Sequence, residues 1–540
     1  MRTAYKIMAA VIVLHAISIA DIGCSTGDLI LSRQTATSWP PLALTRPSLQ
    51  VHYDTENFRI HFDITGNNAV YESEVDLNPH DGVPDYVNRM GEYLESSRFS
   101  YVNVHGFDPP PPDDGLGGNN LYDIYVTEIS GLVVPEFPSD HYPGRQAYSS
   151  YAFIGRDLRN QHHPDDPLPF LMATCSHEYF HAVQMAYRAF SRDETPWWYE
   201  LSAVFAEELV FDDLNELYYY LPDYYLKIDK SLYLTGGSHM YGSWVFAQYL
   251  YQNHGIEFIR RVFEKLINLD QSLVALSVAF AEGNLNFVVE YAEFMSWNYF
   301  TAVNWRPGFF EEGADFPLSV PLARIHDIYP TGMVVNPKAI ENLGGAYVVF
   351  NDPGIPKSEL VIDFNGDDDY PLVVSLGSIP DSGPVTFGIY FVPADQSLTV
   401  RIPRFQDLGS VLMTVTWPFQ GFTIRDSAEF SYRADVDTNE TSIETAESAA
   451  VPGIFRLGGN HPNPFNGATC INFEWNSDPE NYKFELMDAA GRKIGEAVGK
   501  AESGLNRIRW RMADDLACGV YFYKLSIGGF ARTGRMLYLK

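Results

Sequence analysis

Two histidines and a glutamate in the stretch TCSHEYFHAVQ have the types and spacing needed for metal chemistry. His177 and His181 are four residues apart, and Glu178 directly follows the first of them. Residues four apart lie one turn above each other on one face of a helix, so both imidazoles can bind one metal ion. A glutamate beside the first ligand reaches a water bound to that ion. The pattern predicts a zinc site, and the alternative is a helix face with two solvated histidines.

A catalytic zinc site needs a third protein ligand and an open position for water. Glu200 follows His181 after 18 intervening residues, in a segment whose apolar residues recur at helical spacing. Two antiparallel helices joined by the polar turn between them bring this glutamate opposite the two histidines. We therefore predict that zinc is held by His177, His181 and Glu200.

The spacing H-E-x-x-H, 18 residues, then a glutamate within WWYELSA resembles that of the gluzincin zinc metallopeptidases. The likeness covers residues 70–300 and is closest to secreted bacterial metallopeptidases. It implies hydrolysis of peptide bonds, with Glu178 as the general base that takes a proton from the zinc-bound water. It also implies that Tyr241 hydrogen-bonds the oxyanion. His239 is the alternative donor, and an aromatic residue packed on the core is the non-catalytic interpretation of Tyr241.

The acidic composition argues against one class of partner. The chain has 540 residues, with 37 Lys and Arg against 69 Asp and Glu, so its net charge is −32. Such a chain repels the phosphates of a nucleic acid, and we expect no nucleic-acid partner. The four cysteines are too few for a disulfide framework, and whether Cys470 and Cys518 pair is left open.

The N-terminus has the features of an export signal. Two basic residues precede an apolar run that ends in the small residues S-I-A, which predicts a secretory signal peptide over residues 1–20. Lipidation of Cys24 is the alternative. Residues 21–50 are predicted to form a leader or a short propeptide. The mature protein is therefore expected to be secreted or attached to the cell surface, without a transmembrane segment.

The rest of the chain predicts a multidomain fold. Residues 51–310 are expected to form an α+β, gluzincin-like catalytic domain, in which a small sheet precedes a helical lobe. Short apolar runs separated by Gly, Pro and Asp turns predict a β-sandwich over residues 320–436. The polar, acidic stretch 437–453 is predicted to be a linker, and residues 454–540 form a last β-domain.

The last β-domain carries a second resemblance. The stretches LGGNHPNPFNGATCINFEW, LMDAAGRKIG and GVYFYKL resemble the type A C-terminal sorting domain of type IX secretion, which has an Ig-like fold. This resemblance implies that the type IX secretion machinery is a partner. It also implies passage across an outer membrane, followed by release or surface attachment.

A second cation site is predicted in the stretch DLNPHDGVPDY. Asp76, Asn78, Asp81 and Asp85 place oxygen donors around a glycine-containing turn, as in short calcium loops. We predict a structural calcium ion there, and the alternative is a solvated turn.

Two further interpretations were left open by the sequence. Glu207 and Glu208 are interpreted as a solvated pair at a helix end, with a contact to a ligand histidine as the alternative. The competing hypothesis for function is a non-catalytic surface adhesin on a peptidase-like scaffold. The complete set of His177, Glu178, His181 and Glu200 favours an enzyme.

Overall fold

The computed structural model describes most of the chain from residue 45 onward. The described residues are 45–193, 195–283, 285–418, 426–438, 455–461, 465, 467–475, 479–488, 492–502, 504–513, 516, 519–528 and 530–538. The predicted signal peptide, Cys24, Cys518 and nearly all of the predicted linker lie outside these residues. The chain divides into two compact units. The first is Met1–Tyr218 with Leu266–Asp270, and the second is Tyr219–Lys265 with Gln271–Lys540.

The first unit contains a five-stranded mixed sheet with the strand order β1-β2-β3-β5-β4. The inner strands β2, β3 and β5 run parallel, while β1 and β4 are antiparallel at the two edges. Strand β5 is buried along nearly its whole length, which is typical of a strand covered on both faces. The strands are Val51–Asp54, Phe58–Phe62, Tyr122–Thr127, Gly131–Pro138 and Tyr148–Gly155 for β1 to β5.

Three helices accompany this sheet. They are α1 (Asp85–Arg98), α2 (Leu168–Gln184) and α3 (Trp197–Glu208), and α1 continues into a π-helical turn at Phe99–Val104. Helix α2 packs against α1, α3, β4 and β5, so it is buried on almost every side. Each polar side chain of a helix in this position needs a hydrogen-bond partner within the protein, because it is shielded from water.

Tyr101, in the π-helical turn, ties the two ligand-bearing helices together. Its buried hydroxyl lies 2.5 Å from Oγ of Ser176 on α2 and 3.0 Å from the carbonyl oxygen of Ala206 on α3. One phenol thus contacts both helices directly beside the H-E-x-x-H segment. This contact holds α2 and α3 in register with each other.

The residues ahead of β1 form what we call the N-terminal strap, residues 45–50. Leu49 packs against an apolar cluster on one face of the sheet. The Arg46 guanidinium binds Glu136 through two hydrogen bonds of 3.0 and 2.6 Å, and it also contacts Asp113 at 2.7 Å and Asp123. The last six residues of the predicted leader thus pack as part of this unit. The cluster under the strap contains Tyr125, Leu132, Val134, Tyr151 and Phe153.

The second unit begins with a helical region. Within it, Tyr291 and Met295 of α9 bond to the following β-region: the Tyr291 hydroxyl donates to the Leu343 carbonyl at 2.6 Å, and the Met295 carbonyl accepts from Tyr347 at 2.8 Å. The helical lobe therefore packs on the β-sandwich that follows it. The helices are α4 Leu221–Leu226, α5 His239–Gly242, α6 Val245–His254, α7 Ile256–Leu266, α8 Ser272–Glu282 and α9 Phe287–Trp297.

Two sheets that share one apolar core form the β-sandwich. Their orders are β12-β11-β14-β9-β6 and β13-β10-β16-β7, with a small β15-β8 pair. In β10, Leu360, Ile362 and Phe364 are buried while the residues between them are not, as expected for a strand with one covered face. The strands are β6 Arg324–His326, β7 Val334–Val335, β8 Ile340–Glu341, β9 Gly345–Asn351, β10 Glu359–Asn365, β11 Leu372–Ile379, β12 Thr386–Val392, β13 Ser397–Ile402, β14 Ser410–Thr416, β15 Ser427–Ala428 and β16 Ser431–Asp437.

The C-terminal region contains two further sheets around a separate core. Their orders are β17-β18-β21 and β20-β19-β22-β23, and buried Phe473, Phe484 and Leu525 lie in that core. Much of the sorting-domain signature, including Asn463, Pro464, Asn466 and Gly491, lies outside the described residues. The strands are β17 Phe455–His461, β18 Ala468–Trp475, β19 Glu480–Met487, β20 Lys493–Ala501, β21 Gly504–Arg511, β22 Gly519–Ile527 and β23 Phe530–Tyr538.

The structure thus contains several sheets and two groups of helices, as expected of a multidomain α and β protein. In the part of the chain that is described, no single helix has the length and hydropathy of a membrane span. Helices α8 and α9, bent by 104°, pass that test only as a pair.

We expect Arg46→Met to destabilise the first unit. The substitution keeps much of the side-chain length but leaves three carboxylates without their shared cation. Removing one partner of a buried ion pair costs about 3–5 kcal/mol, or roughly 6–20 °C in the thermal midpoint of a unit of this size. Differential scanning calorimetry measures the shift. Arg89→Met, at a surface pair with Glu92, is the control and should cost under about 1 kcal/mol. Equal shifts in both variants would contradict a clamping role for Arg46.

Candidate metal centre

Helices α2 and α3 bring the three predicted metal ligands together. The Nε2 atoms of His177 and His181 are 3.1 Å apart. Oε2 of Glu200 lies 3.5 Å from Nε2 of His177 and 3.4 Å from Nε2 of His181. The two imidazole planes are inclined at 79° to each other. All three residues are buried, and these atoms form a nearly equilateral triangle. The predicted grouping of His177, His181 and Glu200 is thus seen in the structure.

The size of this triangle fits a tetrahedral zinc ion. Zn–N and Zn–O bonds of about 2.0–2.1 Å place neighbouring ligand atoms about 3.3–3.4 Å apart in a tetrahedron. The observed separations are within a few tenths of an ångström of that range. In addition, both carboxylate oxygens of Glu200 are fully buried and have no hydrogen-bond donor among the described residues. A cation between the three ligand atoms would satisfy them, so the donor set fits the metal.

The histidines and carboxylates of the centre shift one another's pKa values strongly. Burial opposes the charged imidazole of His177, but Glu200 and Glu207 outweigh it and raise its pKa to about 10. Burial likewise opposes ionisation of Glu200, yet His181 and His177 lower its pKa to about 2. The proton on His177 thus offsets part of the buried negative charge. Because imidazole ligates as the neutral base, a metal ion bound here would displace that proton.

Nδ1 of each histidine, which we call the outer nitrogen because it does not face the triangle, also has a hydrogen-bond partner. Nδ1 of His177 lies 3.0 Å from Oε1 of Glu207, and Nδ1 of His181 lies 2.8 Å from Oε1 of Gln184. Glu207 is buried, so its interpretation as a solvated helix-end residue is wrong. The sequence signal was its position two turns after Glu200 on the same helical face. Gln184 was missed, although it follows His181 by three residues and so shares its face.

Glu178 is also buried, and its carboxylate packs against the start of the edge strand β4. A Cβ atom built on Gly131 would lie 2.3 Å from Oε1 of Glu178. Gly131 therefore provides the space that this carboxylate occupies. The position matters because Glu178 directly follows the metal ligand His177.

Tyr241 lies in the second unit, on α5. Its ring meets that of Tyr220 with the centroids 5.3 Å apart, and nearby His239 is fully buried. Its role as an oxyanion donor stays a prediction, as does the alternative assignment of that role to His239.

The predicted calcium loop forms a hydrogen-bonded turn. The carboxylate of Asp76 accepts from the amides of Asp81 and Gly82, and that of Asp85 accepts from the amides of Leu77 and Asn78. These contacts explain the local conformation without an ion. Within the described ranges, the loop is not among the groups of three ligand atoms within 4.8 Å of one another. Calcium binding there stays a prediction.

Comparison with known proteins gives only partial structural likeness. No family model and no curated protein matches the chain. Among solved structures, it is similar to a GH2 β-galacturonidase from Eisenbergiella tayi, at 11% identity and a TM-score of 0.16, covering 36% of this chain and 35% of that one. It is also similar to a Bifidobacterium dentium β-glucuronidase, at 10% identity and a TM-score of 0.16, covering 36% and 39%. A Parabacteroides merdae β-glucuronidase gives 11% identity and a TM-score of 0.16, covering 45% and 33%.

These findings correct the predicted family. The structures to which the chain is similar are glycosidases, not zinc metallopeptidases, so the assignments of a gluzincin-type metallopeptidase and of peptide-bond hydrolysis are withdrawn. The chain spans about a third of the length of these structures. TM-scores of 0.16 give no basis for transferring a sugar substrate either. The adhesin hypothesis gains nothing from them. The ligand triangle remains, because it rests on distances within this chain.

We expect one zinc ion per chain after reconstitution of the metal-free protein. Glu200→Gln keeps the volume of the side chain but replaces the anionic ligand with a neutral amide, and it should lose most of the bound zinc. Metal analysis after dialysis measures the content, and the visible spectrum of the cobalt-substituted protein reports a four-coordinate site. Glu290→Gln is the matched control, because Glu290 is a half-buried carboxylate that contacts His254 at 3.1 Å in the second unit. Full zinc retention in Glu200→Gln would show that the third ligand lies elsewhere.

Proposed function

We propose that the protein is a metal-dependent hydrolase whose centre consists of His177, His181 and Glu200, with Glu178 as the general base. The observation that carries this proposal is the triangle of three buried ligand atoms, which has the dimensions of one face of a tetrahedral zinc site. Three ligands leave the fourth position for a water molecule. An adjacent carboxylate that binds no metal is the further group that hydrolysis requires.

The charge of the site supports a dication. Glu178, Glu200 and Glu207 bring three carboxylates to one buried region, and the histidines must be neutral to act as ligands. A divalent ion compensates most of this charge. Buried carboxylates without such compensation would be costly, because a low-dielectric interior penalises unpaired charge.

The residues of this chain divide the chemical work. When bound, a divalent metal ion supplies Lewis-acid activation of water and of the substrate oxygen. Glu178 accepts the proton of the attacking water and later delivers it to the leaving group. Gly131 leaves room for the Glu178 carboxylate beside the centre. Glu207 and Gln184 hold the two imidazoles from their outer nitrogens.

A single metal ion with a carboxylate base suits attack on an acyl carbon. Phosphoester hydrolysis commonly uses two metal ions about 3.5–4 Å apart, whereas this centre offers one triangle of ligands. We therefore take a carboxylic ester as the first substrate class to test. Glycosides and phosphoesters are the comparison classes.

We further propose that the chain is exported and that the type IX secretion machinery recognises residues 454–540. Support comes from the signal-peptide pattern and from the resemblance of the C-terminal sequence to type A sorting domains. The two-sheet arrangement around one core is compatible with an Ig-like domain.

We expect Glu178→Gln to remove hydrolysis while keeping the metal. The substitution preserves size but removes the base, and loss of general-base catalysis typically costs about 10²–10⁴ in rate. Release of p-nitrophenol from p-nitrophenyl acetate, and from the matching glycoside and phosphate, gives the rates with and without zinc. Zinc content should equal that of the wild type. A zinc-loaded wild type that leaves all three substrates intact would contradict the proposed function.

Gly131→Ala should reduce the rate by displacing Glu178. The new methyl group would overlap the carboxylate, and a misplacement of about 1 Å can cost about 10²-fold in rate. Zinc content and thermal midpoint should change little, because the end of a flexible side chain can move. Gly283→Ala is the matched control, since the nearest atom to a Cβ there is 3.4 Å away. A wild-type rate in Gly131→Ala would show that Glu178 does not need this space.

A further inference from the structure

Both ligand histidines are anchored to helix α3 through their outer nitrogens. Glu207 belongs to α3 and contacts His177 directly at 3.0 Å. Gln184 belongs to α2 and contacts His181, while its amide nitrogen donates to the carbonyl of Tyr199 at 2.9 Å and to the hydroxyl of Ser202 at 3.2 Å. Helix α3 therefore carries the proposed third ligand, Glu200. It also supports both imidazoles, directly through Glu207 and indirectly through the hydrogen bonds that hold Gln184.

The hydrogen bonds around Gln184 determine which of its atoms faces the histidine. The Tyr199 carbonyl can only accept, so the amide NH₂ group must point toward it. The amide oxygen then points toward Nδ1 of His181 and can only accept. His181 must therefore carry a proton on Nδ1, and Nε2 is the ring nitrogen that faces the centre.

Glu207 imposes the same tautomer on His177. An ionised carboxylate only accepts hydrogen bonds, so Nδ1 of His177 must be the donor. The Ser202 hydroxyl completes the network by donating to the Trp198 carbonyl at 2.6 Å, which leaves an oxygen lone pair for the Gln184 amide. Both imidazoles are thus oriented by acceptors that lie away from the metal position.

We propose that Gln184 and Glu207 are positioning residues that fix Nδ1 of His181 and His177 as a hydrogen-bond donor, and so direct Nε2 of each ring toward the metal position before the metal ion arrives. This inference rests on the proposed metal centre. It deepens that proposal, because rings whose Nε2 atoms already face the centre bind the ion without rotating. Partners of this kind typically change metal affinity by about 10–100-fold.

The two positioning residues differ in charge. Glu207 is an anionic acceptor and strengthens the donor character of His177, while Gln184 is neutral and acts through orientation alone. Replacing Glu207 with Gln should therefore weaken zinc binding less than replacing it with Met, because the amide can still accept from Nδ1. Gln184→Met removes the acceptor and both anchoring hydrogen bonds at nearly constant volume.

Two measurements test the inference. Competition with a chromophoric chelator gives the zinc affinity of the full-length protein, and we expect losses of about 10–100-fold in Gln184→Met and Glu207→Met, with Glu207→Gln between these and the wild type. Nitrogen NMR of histidine-labelled, metal-free protein, recorded above pH 10 because the pKa of His177 is raised to about 10, shows which ring nitrogen keeps its proton. The wild type should show Nδ1–H for both ligands, and Gln184→Met should show a mixture for His181.

Glu290→Met is the matched control, because it removes a half-buried carboxylate from His254, a histidine in the second unit. It should alter stability without altering zinc affinity or the tautomers of His177 and His181. Wild-type affinity and unchanged tautomers in Gln184→Met and Glu207→Met would overturn the inference. A wild type that binds no zinc would overturn the metal centre instead, and the tautomers of the metal-free protein would still decide whether these residues orient the rings.

Discussion

The burial of Glu200 between two imidazoles is the constraint on which the rest of the first unit depends. Its carboxylate is fully shielded from solvent, and its charge faces His177 and His181 at 3.4–3.5 Å. A buried carboxylate is tolerated only where cations or hydrogen-bond donors compensate it. In this site the compensating groups are the two histidines of the proposed metal centre. Burial raises the free-energy cost of an uncompensated carboxylate, and for the same reason it favours binding of a cation at this position.

This constraint explains why the chemistry sits on the most buried helix. Helix α2 carries polar residues through an apolar environment, and Ser176, His177 and Gln184 meet partners on neighbouring elements. Tyr101 contacts both α2 and α3, while Gln184 and Glu207 join the outer faces of the histidines to α3. Rigid support of this kind holds ligand atoms within the few tenths of an ångström that coordination requires.

The ligand triangle and the identity of the reaction are separate questions. H-E-x-x-H with a later glutamate places three ligands and a base in a defined geometry. The bond that is cleaved depends on the cleft around them, which such a motif does not describe. The resemblance to metallopeptidases implied that the substrate is a peptide bond. The comparisons with solved structures do not support that implication. The hydrolase proposal therefore rests on the centre alone.

The sequence by itself was enough to predict which three side chains meet at the candidate centre. Helical periodicity places His177 and His181 on one face, and local spacing is enough because consecutive turns of a helix have a known geometry. The same local rules gave the alternating strands of the sandwich, such as β10. Only the tertiary structure decided the roles of Gln184, Glu207 and Gly131, and it placed Arg46 of the predicted leader on the sheet. These assignments depend on which side chains meet across separate elements, and the direction and burial of such contacts are properties of packing that no spacing along the chain specifies.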